Sequence, residues 1–271
     1  MKIGFFDSGI GGLSVLGTAI ARMPENEYLY YADTDHVPYG ERTKDEILSF
    51  TMDGVRFLIE AGAEAVVVAC NTATAVAVKA LRERFDIPIV GMEPAVKPAV
   101  ELTQGPVLRD EANGFGTAYA QPLLQQAQAT ESPGIKDDTG VDMKRVMVIA
   151  TPVTLREAKL KDLLHRVDEA HRVDLLALPR LVEFAENEEW DSAAVRAYLT
   201  EAFSQYDMSR YAALVLGCTH VVFFRPLFHE LFGDGIALVD GNEGTVRRLA
   251  DVTSESAGTG TLTHFPQQMS Q

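Results

Sequence analysis

The sequence predicts an α/β protein made of two pseudo-symmetric α/β domains with mainly parallel sheets and its functional site in the interdomain cleft. Three observations carry this. Short apolar runs alternate with amphipathic helical stretches along most of the chain, the pattern of parallel sheets covered by helices. One unit occurs twice: "AEAVVVACNTATAVAVKALRERFDIPIVGMEP" and "YAALVLGCTHVVFFRPLFHELFGDGIALVDGNE" both read strand, cysteine, polar pair, helix, turn, strand, acid. The length of 271 residues suits one large or two modest domains, because single cores stop growing near about 250–300 residues. The first domain is expected to hold residues 1–95 plus 241–271, and the second residues 96–240.

The elements follow in order. "KIGFFD" reads as a strand, and "SGIGGLSVLGTAIARM" as a glycine-rich turn leading into a helix. "NEYLYYAD" is the second strand. "RTKDEILSFTMDGVRFLIEAG" is a helix, with Ile47, Leu48, Val55, Leu58 and Ile59 at helical spacing. "AEAVVVA" is a strand buried on both faces, since its apolar, largely β-branched run is unbroken. "TATAVAVKALRERF" is helical and "DIPIVGM" is the next strand. Residues 104–142 break the rhythm. They are rich in Gly, Pro, Gln and Asp and read as an insertion in the second domain, with a short helix at "AQPLLQQAQAT". "KRVMVIATP" restores the rhythm as a counterpart of the first strand. Helical "VTLREAKLKDLLHRV", strand "VDLLALP" and a long acidic helical region around Trp190 come next. The tail "TSESAGTGTLTHFPQQMSQ" reads as frayed.

Charge narrows the partners. Lys and Arg number 24 against 39 Asp and Glu, giving a net charge of −15, a field that repels nucleic-acid backbones, and no basic stripe counters it. A small anionic ligand stays compatible, because helix N-termini act locally against the net field. No run approaches the ~18–20 apolar residues that cross a bilayer, so no membrane partner is expected. "MKIGFFDSG" runs straight into a strand and lacks the apolar segment of a secretory leader. A cytoplasmic location is therefore expected, where the two cysteines stay reduced. They lack neighbouring ligands at metal-binding spacing, so no metal is expected.

Cys70 and Cys218 are the only cysteines in the chain, and both end an apolar run before small polar residues. Carboxyl ends of parallel strands are where open α/β sheets hold ligands. A helix N-terminus there is expected to lower a thiol pKa. Either cysteine alone reads better as a small core residue. As a matched pair, beside Asn71-Thr72 and Thr219-His220, they fit one chemistry well. One thiolate removes a proton from one face of a carbon while the opposite thiol delivers a proton to the other face. Proton removal from an α-carbon needs stabilised negative charge on the neighbouring carboxylate, which backbone amides, Asn71, Thr72 and Thr219 can supply.

The motifs "FFDSGIGGLSVL", "YADTDHVPYGER", "ACNTATA", "GMEP", "LGCTH" and "VDG" together resemble the cofactor-independent glutamate racemases of the aspartate/glutamate racemase superfamily, and cover nearly the whole chain outside 104–142. That resemblance implies the two-domain fold and interconversion of L- and D-glutamate without a cofactor. It also implies a role in supplying D-glutamate for peptidoglycan, with a homodimer as one option for assembly. By residue it implies Cys70 and Cys218 as catalytic acid/bases, with Asp7 assisting on the Cys70 side and His220 on the Cys218 side. Asp7, Ser8, Tyr39, Gly40, Asn71, Thr72, Thr219 and His220 would bind substrate, and Glu183 in "LPRLVEFAE" is the weaker match to a further family acid.

The chain departs from the family's pattern at several points. Asp35-His36 stand where the family has Ala-Arg, Val221-Val222 where it has Tyr-Pro, and Leu178-Pro179 where it has Cys-Pro. These changes bear on the choice of substrate more than on the chemistry, so an aspartate or other amino-acid racemase is the enzymatic alternative. A non-catalytic amino-acid-binding regulator is another, but binding alone needs neither thiol. A phosphate-dependent transferase built on "DSGIGG" lacks a partnering lysine and a metal-binding acid pair.

Overall fold

The computed structural model describes residues 1–103 and 144–258. The expected insertion at 104–142, its short helix, and the tail beyond 258 lie outside the described residues. Two separate four-stranded sheets form the frame. The first holds β1 (Lys2–Asp7), β2 (Glu27–Ala32), β3 (Ala65–Val68) and β4 (Ile89–Gly91), in the order β2-β1-β3-β4. The second holds β5 (Arg145–Ala150), β6 (Val173–Ala177), β7 (Tyr211–Leu216) and β8 (Ala237–Val239), in the order β6-β5-β7-β8. Every pairing is parallel. The two orders are the same once the strands are matched in sequence, so the repeated unit in the sequence is a repeated topology.

Alternation along the strands sends side chains to two covered faces. In the first sheet Phe6, Val66 and Val68 pack against α2 (Lys44–Glu60) and α3 (Asn71–Arg84). Ile3, Phe5 and Val67 face the other way, against α1 (Leu13–Arg22) and the C-terminal helix. All six are fully buried or nearly so, and each contributes on the order of 1.5–3 kcal/mol by leaving water. α2 begins in a capping box, where the Thr43 side chain accepts from the Glu46 amide and the Glu46 carboxylate accepts from the Thr43 amide.

The second sheet is covered by α4 (Val96–Glu101), α5 (Pro152–Arg156) and α6 (Ala158–Val167), and on its far side by α7 (Arg180–Glu186), α8 (Ala193–Phe203) and α9 (Arg225–Phe232). The acidic region around Trp190 is two helices and not one long one. Asn187 ends α7, Ser192 caps α8, and Trp190 between them packs on Phe223 with ring centroids 4.9 Å apart. The last helix, α10 (Asn242–Gly258), returns to the first sheet, where Val246 and Leu249 join Ile3 and Phe5. It runs through Gly258, so the first part of the expected frayed tail is helical. Apolar residues at Val246 and Leu249 tie it down. The two crossings between lobes run side by side: a Cβ at Gly241 would fall 2.6 Å from the Glu93 carbonyl oxygen. Among the described residues no helix is long and apolar enough to cross a membrane.

Candidate active site

Cys70 and Cys218 each sit two residues beyond the end of the matching strand, β3 and β7, and both are buried. Their local settings then diverge. Cys70 is the N-cap of α3, and its sulfur accepts the Ala73 N–H at 3.4 Å. After Cys218 the chain makes a 3-10 turn over Thr219–Phe224 before α9 begins, so the second thiol does not open an α-helix directly.

On the first lobe, the chain leaving β1 puts Asp7 and Ser8 at the carboxyl end of the sheet, both buried. Ser8 Oγ lies 3.5 Å from Cys70 Sγ. Asp7 Oδ1 accepts the Gly9 amide at 3.0 Å, and Asp7 Oδ2 accepts the Thr219 hydroxyl from the other lobe at 3.1 Å. Asp7 thus bridges the two lobes instead of serving only the Cys70 side.

On the second lobe, His220 Nδ1 lies 3.9 Å from Cys218 Sγ. Its other nitrogen, Nε2, donates to Glu186 Oε1 at 2.5 Å, since a carboxylate can only accept. The same oxygen accepts the Ile10 amide at 2.8 Å, another bond between lobes. Gly9 makes this approach possible, because a Cβ there would overlap the Glu186 carboxylate.

Burial and these partners set the charges. Burial pushes the Cys70 thiol up to about 12, with the Asp7 charge adding to it against the Ser8 and Ala73 hydrogen bonds. The expectation that the helix N-terminus lowers this thiol's pKa is therefore overturned, because loss of water outweighs one weak N–H bond. Burial also holds the Asp7 carboxyl above its usual range, opposed first by His220 and then by the Gly9 amide and Thr219. For His220 burial works against the charged ring, but the contacts with Cys218 and Glu186 win and raise it to about 10. Glu186 is raised by burial yet ends below its usual value, because the His220 and Ile10 bonds outweigh desolvation.

The remaining expected residues are gathered at the same cleft. Asn71 and Thr72 open α3 and are buried. Thr72 Oγ1 reaches across to Thr151 Oγ1 at 2.9 Å and Thr154 Oγ1 at 3.2 Å. Both polar atoms of the Asn71 amide are buried without a hydrogen-bond partner, the condition that a bound polar ligand relieves. Gly40 lies against Thr151, and Tyr39 is packed in the same cluster as Cys70. Tyr30, which the sequence reading passed over, donates its hydroxyl to the Gly9 carbonyl at 2.7 Å.

Glu183 does not join the site. It is exposed on α7, and the acid that meets His220 is Glu186, one helical turn further on. Spacing carried a signal for this. Glu186 lies four residues after buried Val182 and so shares its inward side of the helix. Thr151 was also missed, although its strand had been matched to the one ending in Asp7. Among the described residues no group of three or more His, Cys, Asp or Glu is placed to hold a metal ion.

Relatives share this arrangement's sequence and fold. The family model described as Asp/Glu/Hydantoin racemase matches residues 15–108. Glutamate racemase from Campylobacter curvus (strain 525.92) is 48% identical over 249 residues, covering 92% of this chain and 82% of that protein. Glutamate racemase 2 of Bacillus subtilis (strain 168) is 39% identical over 269 residues, covering 98% of this chain and 88% of that protein. The structure of Escherichia coli glutamate racemase, in complex with L-glutamate and the activator UDP-MurNAc-Ala, superposes with a TM-score of 0.73 at 28% identity, covering 93% of this chain and 82% of that one. With identities of 39% and 48% sustained over more than nine-tenths of its length, the chain belongs to the glutamate racemase family.

Proposed function

We propose that this protein interconverts L- and D-glutamate by proton transfer at the α-carbon between Cys70 and Cys218, without a cofactor. The observation that carries the reading is the convergence of two buried thiols, from the same point of two like-ordered sheets, on one cleft. The named activity of the relatives supports the choice of glutamate. In each turnover one sulfur, as thiolate, takes the α-proton and becomes a thiol. The opposite thiol gives its proton to the other face of the carbanion and becomes a thiolate. The electron pair left at the α-carbon is held by delocalisation into the α-carboxylate, which hydrogen-bond donors must stabilise.

The unpaired Asn71 amide and the Thr72 hydroxyl are the donors we assign to the substrate's carboxylate, with the Thr219 hydroxyl and Ser8 completing the pocket. Asp7 balances the ammonium group. His220, held by Glu186, faces Cys218 and stabilises negative charge on that sulfur. Tyr39 and Gly40 wall the pocket. On this reading the lobes divide as residues 1–95 plus 241–271 and 96–240, hinged where the chain crosses beside Glu93 and Gly241. The protein is cytoplasmic, and its product D-glutamate feeds peptidoglycan synthesis. The test is to add purified protein to L-glutamate with no cofactor and follow circular dichroism. Decay of the signal to zero is the expected result. A signal that stays constant for glutamate but decays for aspartate would move the assignment to an aspartate racemase.

A further inference from the structure

The loop between β2 and α2 carries a chain of side chains that the proposed chemistry leaves unused. Asp33 is buried, at 6% exposure, and both of its carboxylate oxygens are occupied. Oδ2 accepts the Tyr39 hydroxyl at 2.6 Å, and Oδ1 accepts His36 Nδ1–H at 2.8 Å. The Asp33 amide donates to the Asp7 carbonyl at 3.0 Å, anchoring the carboxylate to the end of β1. His36 is held in turn. Its ring stacks on Phe50 with centroids 3.7 Å apart and planes 15° from parallel, and its carbonyl accepts Arg42 Nε–H at 2.9 Å.

Donor counting fixes what Tyr39 can do. A phenol has one proton to donate, and here it goes to Asp33. Tyr39 therefore meets a substrate with its ring and its backbone, not with a free hydroxyl donor. The ring is placed against Phe6, centroids 6.4 Å apart, in the cluster that holds Cys70. The turn Tyr39–Glu41 carries Gly40 against Thr151 of the other lobe. Burial and the Asp33 bond both keep the Tyr39 hydroxyl protonated. A carboxylate with one donor can rotate about its last bond, whereas one with two opposed donors cannot.

We infer that His36 is a positioning residue for the substrate pocket: it locks the Asp33 carboxylate, which orients Tyr39 and the Pro38–Tyr39–Gly40 wall. The inference rests on the glutamate racemase reading for its kinetic consequence, but the structural coupling stands apart from that reading. His36 touches no reacting atom, so its loss should weaken substrate binding and leave the proton transfers alone.

The experiment compares His36→Leu and His36→Ala, which lack the donor, with His36→Asn, whose amide restores it, each in the parental and Tyr39→Phe backgrounds. Loss of the donor should raise KM for glutamate by about threefold to tenfold, less than the full effect of one hydrogen bond to a charged group because His36 acts through Asp33 and Tyr39, with kcat held within about twofold. The Asn variant should recover most of that rise. In the Tyr39→Phe background the same replacements should change KM by less than about twofold, since the hydroxyl they position is gone. An unchanged KM in the Leu and Ala variants overturns the inference, and so does an equal rise in both backgrounds. Thermal unfolding of the same variants reports the coupling without any substrate: losses in Tm for His36→Leu and Tyr39→Phe should be non-additive, and additive losses overturn the inference. If the parental protein leaves L-glutamate unchanged while the Tm losses are non-additive, the substrate assignment fails and the His36–Asp33–Tyr39 coupling stands.

Discussion

Replacing Glu186 by Gln keeps the side chain's size and one acceptor oxygen but removes the charge facing His220. Glu186 Oε1 accepts from both His220 Nε2 and the Ile10 amide, at 2.5 and 2.8 Å. Hydrogen bonds to charged groups contribute about 1.5–3 kcal/mol against about 0.5–1.5 for neutral ones, so the His220 bond weakens by roughly 1–1.5 kcal/mol. Each pKa unit corresponds to about 1.4 kcal/mol, so the imidazole's titration should fall by about one pH unit. The sign follows from the direction of the shifts. His220 is raised from 6.5 to about 10, so its charge, and the stability it adds, is complete below its ordinary value and lost as pH climbs through about 10. Glu186 is lowered, so its share is present above its ordinary value and lost as pH falls through the lower folded one. Cys70, at about 12, titrates after His220, so loss of the imidazole's charge comes before loss of that thiol's proton as pH rises. The assay is racemisation of glutamate by circular dichroism from neutral to alkaline pH. The substrate's own ammonium titrates identically in both proteins, so the difference between profiles isolates the imidazole. Glu186→Gln should move the alkaline limb of kcat/KM down by about one pH unit. Profiles that superimpose would refute the pairing as the source of His220's charge.

Cys70→Ala and Cys218→Ala should each abolish racemisation while substrate still binds, and each Ser variant should retain exchange of solvent deuterium from one enantiomer only; full activity in either Ala variant sinks the two-thiol mechanism. Gly9→Ala should cut kcat/KM at least about tenfold, because its Cβ displaces Glu186 from His220 and the loop from the second lobe, and parental kinetics would show that the lobes tolerate a wider gap. Thr72→Val removes hydrogen bonds to Thr151 and Thr154, and Thr219→Val removes the one to Asp7. Each should lower kcat/KM roughly tenfold to a hundredfold and also cost about 1–3 kcal/mol of unfolding free energy, since buried hydroxyls or a buried carboxylate lose a partner. Parental values by denaturant titration and initial rate would place those hydroxyls outside both roles.

How much of this was legible before any coordinates depends on the kind of signal. The strands, their parallel arrangement and the twin cysteine positions follow from local pattern: a short apolar run such as "AVVV", set between helical stretches, reads as a buried strand, and its counterpart in the second half is likewise followed by a cysteine. The partners of each thiol are harder to read, because they come from distant parts of the chain. Ile10 meets Glu186 across 176 positions and Asp7 meets Thr219 across 212, and no local periodicity encodes such pairings. Glu183, the weaker family match, lies one turn before the acid that meets His220, and motif matching alone does not separate two acids on neighbouring turns of one helix. The direction of the Cys70 shift failed on burial. A helix N-terminus can be seen in the sequence, but the loss of water around one sulfur cannot.

The cleft is made of contacts that neither lobe can form alone, and this decides how substrate must gain access. Asp7 of the first lobe holds Thr219 of the second, Glu186 of the second holds the Ile10 amide of the first, and Thr72 holds Thr151 and Thr154. The cysteine surroundings are likewise shared: Asp7, which acts on Cys70, also feels His220, which sits beside Cys218. A buried acceptor stripped of its donor costs about 1–3 kcal/mol unless water replaces it. Parting the lobes breaks all of these bonds together and lets water in to compensate them. An opened cleft therefore hydrates Asp7 and Cys70, whose raised values both come chiefly from burial, and frees Glu186 from Ile10. Closure around a substrate on this frame therefore buries Asp7 and Cys70 and ties Glu186 to Ile10 in one event.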